Sequence, residues 1–124
     1  MDAFKLHGAV SWHELSTPDV EAAKAYYGKV FGWTFEAMDM GGMTYSVIKI
    51  GDEAIGGITA RAEGAPGWQN YVTVTDIDAA LAAATAAGGR VLVPVTQIPN
   101  VGRFAVLADP QGGVIAAIQY ADAA

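Results

Sequence analysis

The sequence predicts an α+β protein of two tandem βαβββ modules, forming a curved mixed sheet with helices outside and a concave trough inside. Three observations carry that expectation. First, helix-start signals at Asp19 and Asp76 lie 57 positions apart, and the same offset takes Val20 to Ile77 and Gly32 to Gly89. Second, Tyr45-Ser46-Val47-Ile48 is matched 59 positions on by Phe104-Ala105-Val106-Leu107, the two extra residues falling in a Pro-containing loop. Third, the order strand, helix, strand, strand, strand reads twice, which marks an internal repeat. One such unit covers a single face of its sheet with its helix, so two units are needed to build a core.

The elements follow in order. Residues 9–17 alternate as a half-buried strand, with Trp12, Glu14 and Ser16 on one face and His13, Leu15 and Thr17 on the other. Pro18 suits a first helical position, and Thr17 or Asp19 can cap the free amides of a helix over 19–31. Val20, Ala23, Tyr27, Val30 and Phe31 share one helical face, and Gly32 ends the helix. Residues 33–36 are extended, Gly41-Gly42 turns, and 43–50 reads as a strong strand. Residues 54–60 form another strand with Gly56-Gly57 inside it, which marks a bulge or a close approach to the backbone. The polar stretch 61–68, with Pro66 and two glycines, reads as a linker. In the second half come a strand over 70–75, a helix over 77–87 capped by Asp76 and ended by Gly88-Gly89, and a strand over 90–95. A loop of Pro94, Pro99 and Asn100-Val101-Gly102, a strand over 103–108, a turn at Asp109–Gly113 and a last strand over 114–120 complete the chain. The modules run over about 8–61 and 68–120 of a single domain.

Composition narrows the function. The 124 residues hold 13 acidic and 7 basic side chains, a formal charge of −6, with the cations scattered. Nucleic acid is therefore not an expected partner, because phosphate binding needs clustered Lys and Arg. Cysteine is absent, which excludes disulfides and thiolate metal sites, and with histidine sparse at two no Cys-His or Ser-His-Asp arrangement is assembled. No apolar run reaches the length of a membrane span, and the N-terminus lacks the apolar core of a signal peptide, so a cytoplasmic protein is expected. The glycine pairs are turn and cap residues, and none lies in a phosphate loop with its lysine.

The run WHELSTPDVEAAKAYYGKVFGW, Trp12 to Trp33, resembles the opening of a module in the vicinal oxygen chelate superfamily, the group of glyoxalase I, extradiol dioxygenases, and fosfomycin- and bleomycin-resistance proteins. WQNYVTVTDIDAAL, from Trp68, resembles the opening of a second module, and IPNVGRFAVLADPQGG, from Ile98, its closing hairpin. The resemblance implies metal ligands on the first and last strands of each module. It assigns them to Trp12 and Gln69, seven residues before each helix-start Asp, to Ala116, seven past Asp109, and to Gly57, the repeat mate of Ala116. Trp, Gly, Gln and Ala there make a poor donor set, so no metal and no cofactor are expected. His13 lies on the opposite strand face and is expected to be a buried or half-buried structural histidine.

Trp12, Glu14, Gln69 and Tyr71 have the parity of the trough and are the expected ligand-binding residues. Met43, Tyr45 and Arg103 join them from strands whose parity the sequence leaves open. Trp12 and Tyr71 either stack on a ligand or fill the concavity. Glu14 is the candidate catalytic residue: it pairs with Arg103, binds a cationic group, or serves as a base. The resemblance implies a metal-independent protein that binds a small organic molecule and forms a homodimer. The alternatives are a glyoxalase-like enzyme of lyase, isomerase or oxygenase type, either metal-free or using unusual ligands such as His13 and Glu14, and a module that pairs with another chain and does no small-molecule chemistry.

Overall fold

Asp19 and Asp76 cap their helices as the sequence requires. Asp19 Oδ1 accepts from the Ala22 amide at 3.0 Å, and Asp76 Oδ1 accepts from the Ala79 amide at 3.1 Å. Each satisfies an otherwise orphaned helix amide. In the computed structural model, which describes residues 2–39 and 44–121, these caps start α1 (Val20–Phe31) and α2 (Ile77–Ala86). Pro18 thus stands before the cap and not at the first helical position. Gly32, at φ 73°, closes α1 by donating its N–H to the Gly28 carbonyl.

The chain is α+β and consists of two βαβββ modules. The first has β1 (Val10–Thr17), α1, β2 (Thr34–Asp39), β3 (Thr44–Ile50) and β4 (Glu53–Ala60). The second has β5 (Gly67–Thr73), α2, β6 (Arg90–Ile98), β7 (Gly102–Ala108) and β8 (Val114–Tyr120). Within the first, the strands lie in the order β2, β3, β4, β1, with β1 and β4 parallel and the other pairs antiparallel. Within the second, the order is β6, β7, β8, β5, with β5 and β8 parallel. Among the described residues no helix is long and apolar enough to cross a membrane.

Two compact units emerge, residues 12–68 and a second unit that joins the residues up to Ser11 to those from Gln69 onward. In the first, Leu15, Ile48 and Ile58 are buried beneath Val20, Ala23 and Tyr27 of α1, with Trp33, Phe35 and Ile55 around them. Val30 and Phe31 share that helix stripe in sequence but are 50% and 59% exposed. The last turn of α1 overhangs the core, and Phe31 packs sideways on Tyr27 and Trp33. Trp68, expected in the linker, lies in β5 and bonds Tyr27 Oη through its indole N–H at 3.2 Å.

In the second unit Ile77, fully buried, packs with Val74, Ala105 and Ala117, and Ala80 and Leu81 extend the contact along α2. Small residues on both sides bring helix and sheet close together. The N-terminal segment belongs here too. A short 3-10 turn (Ala3–Lys5) leads to Gly8, which donates to Thr73 O at 2.8 Å, while Thr73 Oγ1 donates to Ala3 O at 2.8 Å and the Thr75 amide to His7 Nδ1 at 3.0 Å. β6 continues past Pro94 to Ile98, two residues beyond Thr96, where the sequence predicts a loop. It is an outer strand of its module with register shifts around Pro94, and an edge tolerates a missing N–H.

The turn between β7 and β8 depends on Asp109. Its Oδ1 accepts from the amides of Gln111 at 2.8 Å and Gly113 at 3.0 Å, and those bonds hold the carboxyl below its ordinary value of 3.8. A carboxyl with a folded value below its unfolded one stabilises the fold above the unfolded value, and the contribution disappears as pH falls through the folded value. Denaturant unfolding of Asp109→Asn should therefore show a lower midpoint than wild type at pH 6, with the gap closing as the pH falls below the ordinary value of 3.8 and through the lower folded value.

Candidate functional site

Strand pairing in the first module sorts its residues between two faces. Ile48, opposite Gly56, lies on the face that α1 covers, and Gly56 faces His13 on β1. A side chain at Gly56 would meet the His13 carbonyl oxygen at 1.9 Å, so β4 approaches β1 there in a way only glycine allows. His13 itself is exposed, which corrects the expectation of a buried or half-buried histidine. It sits in the helix-side row of the sheet but beyond the cover that α1 provides.

The helix-free face carries Val47 opposite Gly57, and Gly57 opposite Glu14. Tyr45 is two residues from Val47 on the same face, and its ring lies across the bare α-carbon of Gly57. A Cβ there would come within 2.0 Å of the Tyr45 hydroxyl. From that seat the hydroxyl accepts from Trp12 Nε1 at 2.9 Å and donates to Glu14 Oε2 at 2.8 Å. Trp12, Tyr45 and Glu14, three of the sequence-predicted residues, are therefore joined by hydrogen bonds, and all three are half-buried. Tyr45 was a candidate of unknown parity, and the Val47–Gly57 register fixes its face.

The second module repeats the pattern with different chemistry. Tyr71 stands opposite Ala116 as Glu14 stands opposite Gly57, and Val106 opposite Ala116 as Val47 opposite Gly57. Phe104, the repeat mate of Tyr45, meets the Tyr71 ring with centroids 6.1 Å apart. Tyr71 and Ala116 are 6% and 1% exposed, and Gln69 is half-buried. Arg103 lies elsewhere: its guanidinium bonds Gln119 Oε1 at 3.2 Å and lies 3.5 Å from Asp78 Oδ2 of α2. The same Gln119 oxygen accepts the Ile77 amide at 2.8 Å. Arg103 thus shares the α2 side with Ala105 and braces the start of that helix, which gives the face that the sequence left open. Met43 lies outside the described residues. At the end of β8, burial raises Tyr120 above its ordinary value of 10.0, while the Ser11 hydroxyl at 2.7 Å opposes that shift.

The four positions that the resemblance assigns to metal ligands do not fit a metal ion. Trp12 presents a donor N–H that is already bonded to Tyr45, Gly57 and Ala116 have no donor atom, and Gln69 alone carries an amide oxygen. Space beside Gly57 is filled by the Tyr45 ring. Among the described residues no group of three or more His, Cys, Asp or Glu converges on a point suited to an ion.

The Gly57–Tyr45 contact makes a specific mutational prediction. Gly57→Ala should displace the Tyr45 ring and break its bonds to Trp12 and Glu14, at about 1–3 kcal/mol of stability. Tyr45→Ala in the same chain should recover most of that loss. Denaturant titration of both single variants and the double variant measures the coupling, and simple additivity would refute the contact.

Comparison with known proteins places this geometry in context. The pattern of the Glyoxalase/Bleomycin resistance protein/Dioxygenase superfamily matches residues 9–116. The provisionally named glyoxylase CFP32 of Mycobacterium tuberculosis is 42% identical over 117 residues, covering 92% of this chain and 45% of CFP32. The anthracycline biosynthesis protein DnrV of Streptomyces peucetius is 29% identical over 126 residues, covering 88% of this chain and 46% of DnrV. The chain thus spans about half the length of these curated relatives. Among solved structures, methylmalonyl-CoA epimerase from Mycobacterium tuberculosis matches with a TM-score of 0.65 at 18% identity, covering 93% of this chain and 89% of that one. Protein BH1468 from Bacillus halodurans matches with a TM-score of 0.71 at 10% identity, covering 93% of this chain and 96% of that one. The repeat, the two βαβββ modules and the match over residues 9–116 together establish that the chain belongs to the Glyoxalase/Bleomycin resistance protein/Dioxygenase superfamily.

Proposed function

We propose that this chain binds a small organic molecule without a metal, using the helix-free face on which Trp12, Glu14 and Tyr45 meet. The observation that carries the proposal is the Trp12–Tyr45–Glu14 hydrogen-bond chain, standing where the superfamily resemblance assigns metal donors. The indole offers apolar area and the carboxylate offers a polar anchor, the combination typical of small-molecule sites. Gln69 and Tyr71, on the corresponding face of the second module, are the further ligand-binding residues of this reading. Structures of Streptomyces coelicolor methylmalonyl-CoA epimerase are complexes with 2-nitronate-propionyl-CoA, which supports a small-molecule ligand over nucleic acid. A cytoplasmic location is part of the proposal.

A second reading makes the protein a metal-free enzyme in which Glu14 takes a proton. It is favoured by the names of relatives and structural neighbours, a glyoxylase and several epimerases. The Tyr45 hydrogen bond orients the carboxylate that such a step would use.

A ligand screen read by tryptophan fluorescence should perturb emission in wild type, and Trp12→Ala should lose most of the change and most of the affinity. Elemental analysis should find no stoichiometric divalent ion in the purified protein. About one Zn, Mn, Fe or Ni per chain, lost on His13→Ala, would replace this reading with a metalloenzyme.

A homodimer is also proposed. The outer strand β6 exposes Val91, Leu92 and Val93, 37–46% accessible, and an apolar outer strand is seldom left uncovered. Sedimentation at micromolar concentration should give the mass of two chains, and the mass of one would refute the dimer.

A further inference from the structure

We propose that residues 3–7 form a strap fastened by a single imidazole. The strap lies across one end of the second module's helix-free face while His7 is neutral, and it lifts when His7 takes up a proton. The inference goes beyond the binding reading above and does not depend on it.

The strap is anchored on both sides of β5. Thr73 has the parity of Tyr71, and Tyr120 that of Ala116 and Ile118, so both stand on the helix-free face. Thr73 Oγ1 donates to Ala3 O at 2.8 Å, and the Phe4 ring meets the Tyr120 ring edge-on with centroids 5.2 Å apart. Past the end of β5 the segment reaches the start of α2, where His7 Nδ1 accepts the Thr75 amide at 3.0 Å. The base of the strap is backbone: Gly8 donates to Thr73 O and Ala9 O accepts the Thr73 amide, both at 2.8 Å. Phe4 and Leu6 are 40% and 47% exposed, and no strap residue belongs to the core of Val74, Ile77, Ala105 and Ala117. Residues 3–7 can therefore lift about the Gly8–Ala9 base without opening that core.

The fastening is a bond that one form of histidine makes and the other cannot. A ring nitrogen that accepts an amide proton carries a lone pair, so His7 is neutral with its proton on Nε2. The proton that acid adds goes to Nδ1 itself, and the imidazolium has donors at both nitrogens. Two N–H groups would then face each other at 3.0 Å, and the Thr75 amide, held by the backbone between β5 and α2, cannot turn away. The Thr75 hydroxyl, 3.4 Å from the same nitrogen, can rotate to accept from it, but the clash with the amide stays. The charged and titratable groups around the strap are otherwise engaged. Asp2 Oδ1 accepts the Phe4 amide, Asp76 Oδ1 accepts the Ala79 amide, Asp78 lies 3.5 Å from Arg103, and the Tyr120 hydroxyl bonds Ser11; Lys5 belongs to the strap itself. Among the described residues no carboxylate bonds His7, so in the fastened geometry protonation removes the Thr75 bond with no ion pair in exchange.

The test follows the full chain by NMR at about pH 7.5 and about pH 5, which bracket the ordinary titration of an imidazole. It reads the hydrogen-exchange protection of the Thr75 amide, referred to an unstructured peptide at each pH, and cross-relaxation between the Phe4 and Tyr120 rings. On acidification the Thr75 protection should fall at least about threefold, the scale of one ordinary hydrogen bond. The ring cross-peak should weaken with it, while the amides of Ala105 and Ala117 keep their protection. His7→Asn puts an amide oxygen on the same carbon that carries Nδ1 and does not titrate, so it should hold the strap at both pH values. His7→Ala has no acceptor and should show the lifted state at both. His13→Asn should leave the pH step intact. A smaller fall in wild type, a step that survives His7→Asn, or a step lost with His13→Asn would overturn the strap. No ligand enters this test, so its failure leaves small-molecule binding standing.

Discussion

A missing side chain at Gly57 governs the first module's helix-free face. With only a hydrogen on that α-carbon, an aromatic ring from the neighbouring strand can lie against the backbone. Tyr45 uses the space, and its hydroxyl arrives midway between Trp12 and Glu14. Position 57 thus acts through what it leaves out: any larger residue would evict the phenol and separate the two side chains it links. In the second module the mate of Gly57 is Ala116, and the mate of Tyr45 is Phe104, a ring without a hydroxyl. With Tyr71 in the place of Glu14 and Gln69 in the place of Trp12, an aromatic contact stands where the first module has a polar relay.

The two modules share a topology and differ in what holds them together. The first packs a cluster of large rings about Tyr27, which touches Tyr26, Phe31, Trp33 and Trp68. The second relies on an alanine-rich helix lying close to Ala105 and Ala117. Large side chains filling a wide gap and small ones closing a narrow gap are both dense solutions to the same packing demand. Solved structures at 10% and 18% identity share the fold on still other side chains, which is why backbone likeness alone does not assign chemistry.

The fold was legible because its signals are local. Two Asp caps, two runs of helical apolar spacing and the 57- and 59-residue offsets need no knowledge of distant contacts, and the strand registers reproduce those offsets. The glycine pair inside β4 was legible for the same reason, since a strand glycine announces that something comes close. The site was legible in part. Trp12 and Glu14 share a parity that can be counted along one strand, but the face of Tyr45 or Arg103 depends on pairing with other strands, and a one-residue change of register reverses it. Val30 and Phe31 obey the helix period and still lie outside the core, because periodicity gives the direction of a side chain and not how far the sheet extends beneath it. β6 passes through Pro94 because a proline breaks a strand only where its N–H is wanted.

The N-terminal segment gives the chain an unusual schedule of assembly. Ala3 and His7 find their partners at Thr73 and Thr75, and Ser11 finds its partner at Tyr120. On a ribosome the unit over residues 12–68 is complete in sequence while the second is still being made, yet the residues made just before it belong to that second unit. They must wait through the synthesis of an entire intervening module before their hydrogen bonds exist. Closing contacts across 68 to 109 residues is the slow kind of folding event, because the entropy of a long loop is lost before any bond compensates for it. The segment ahead of the first module thus completes the second one.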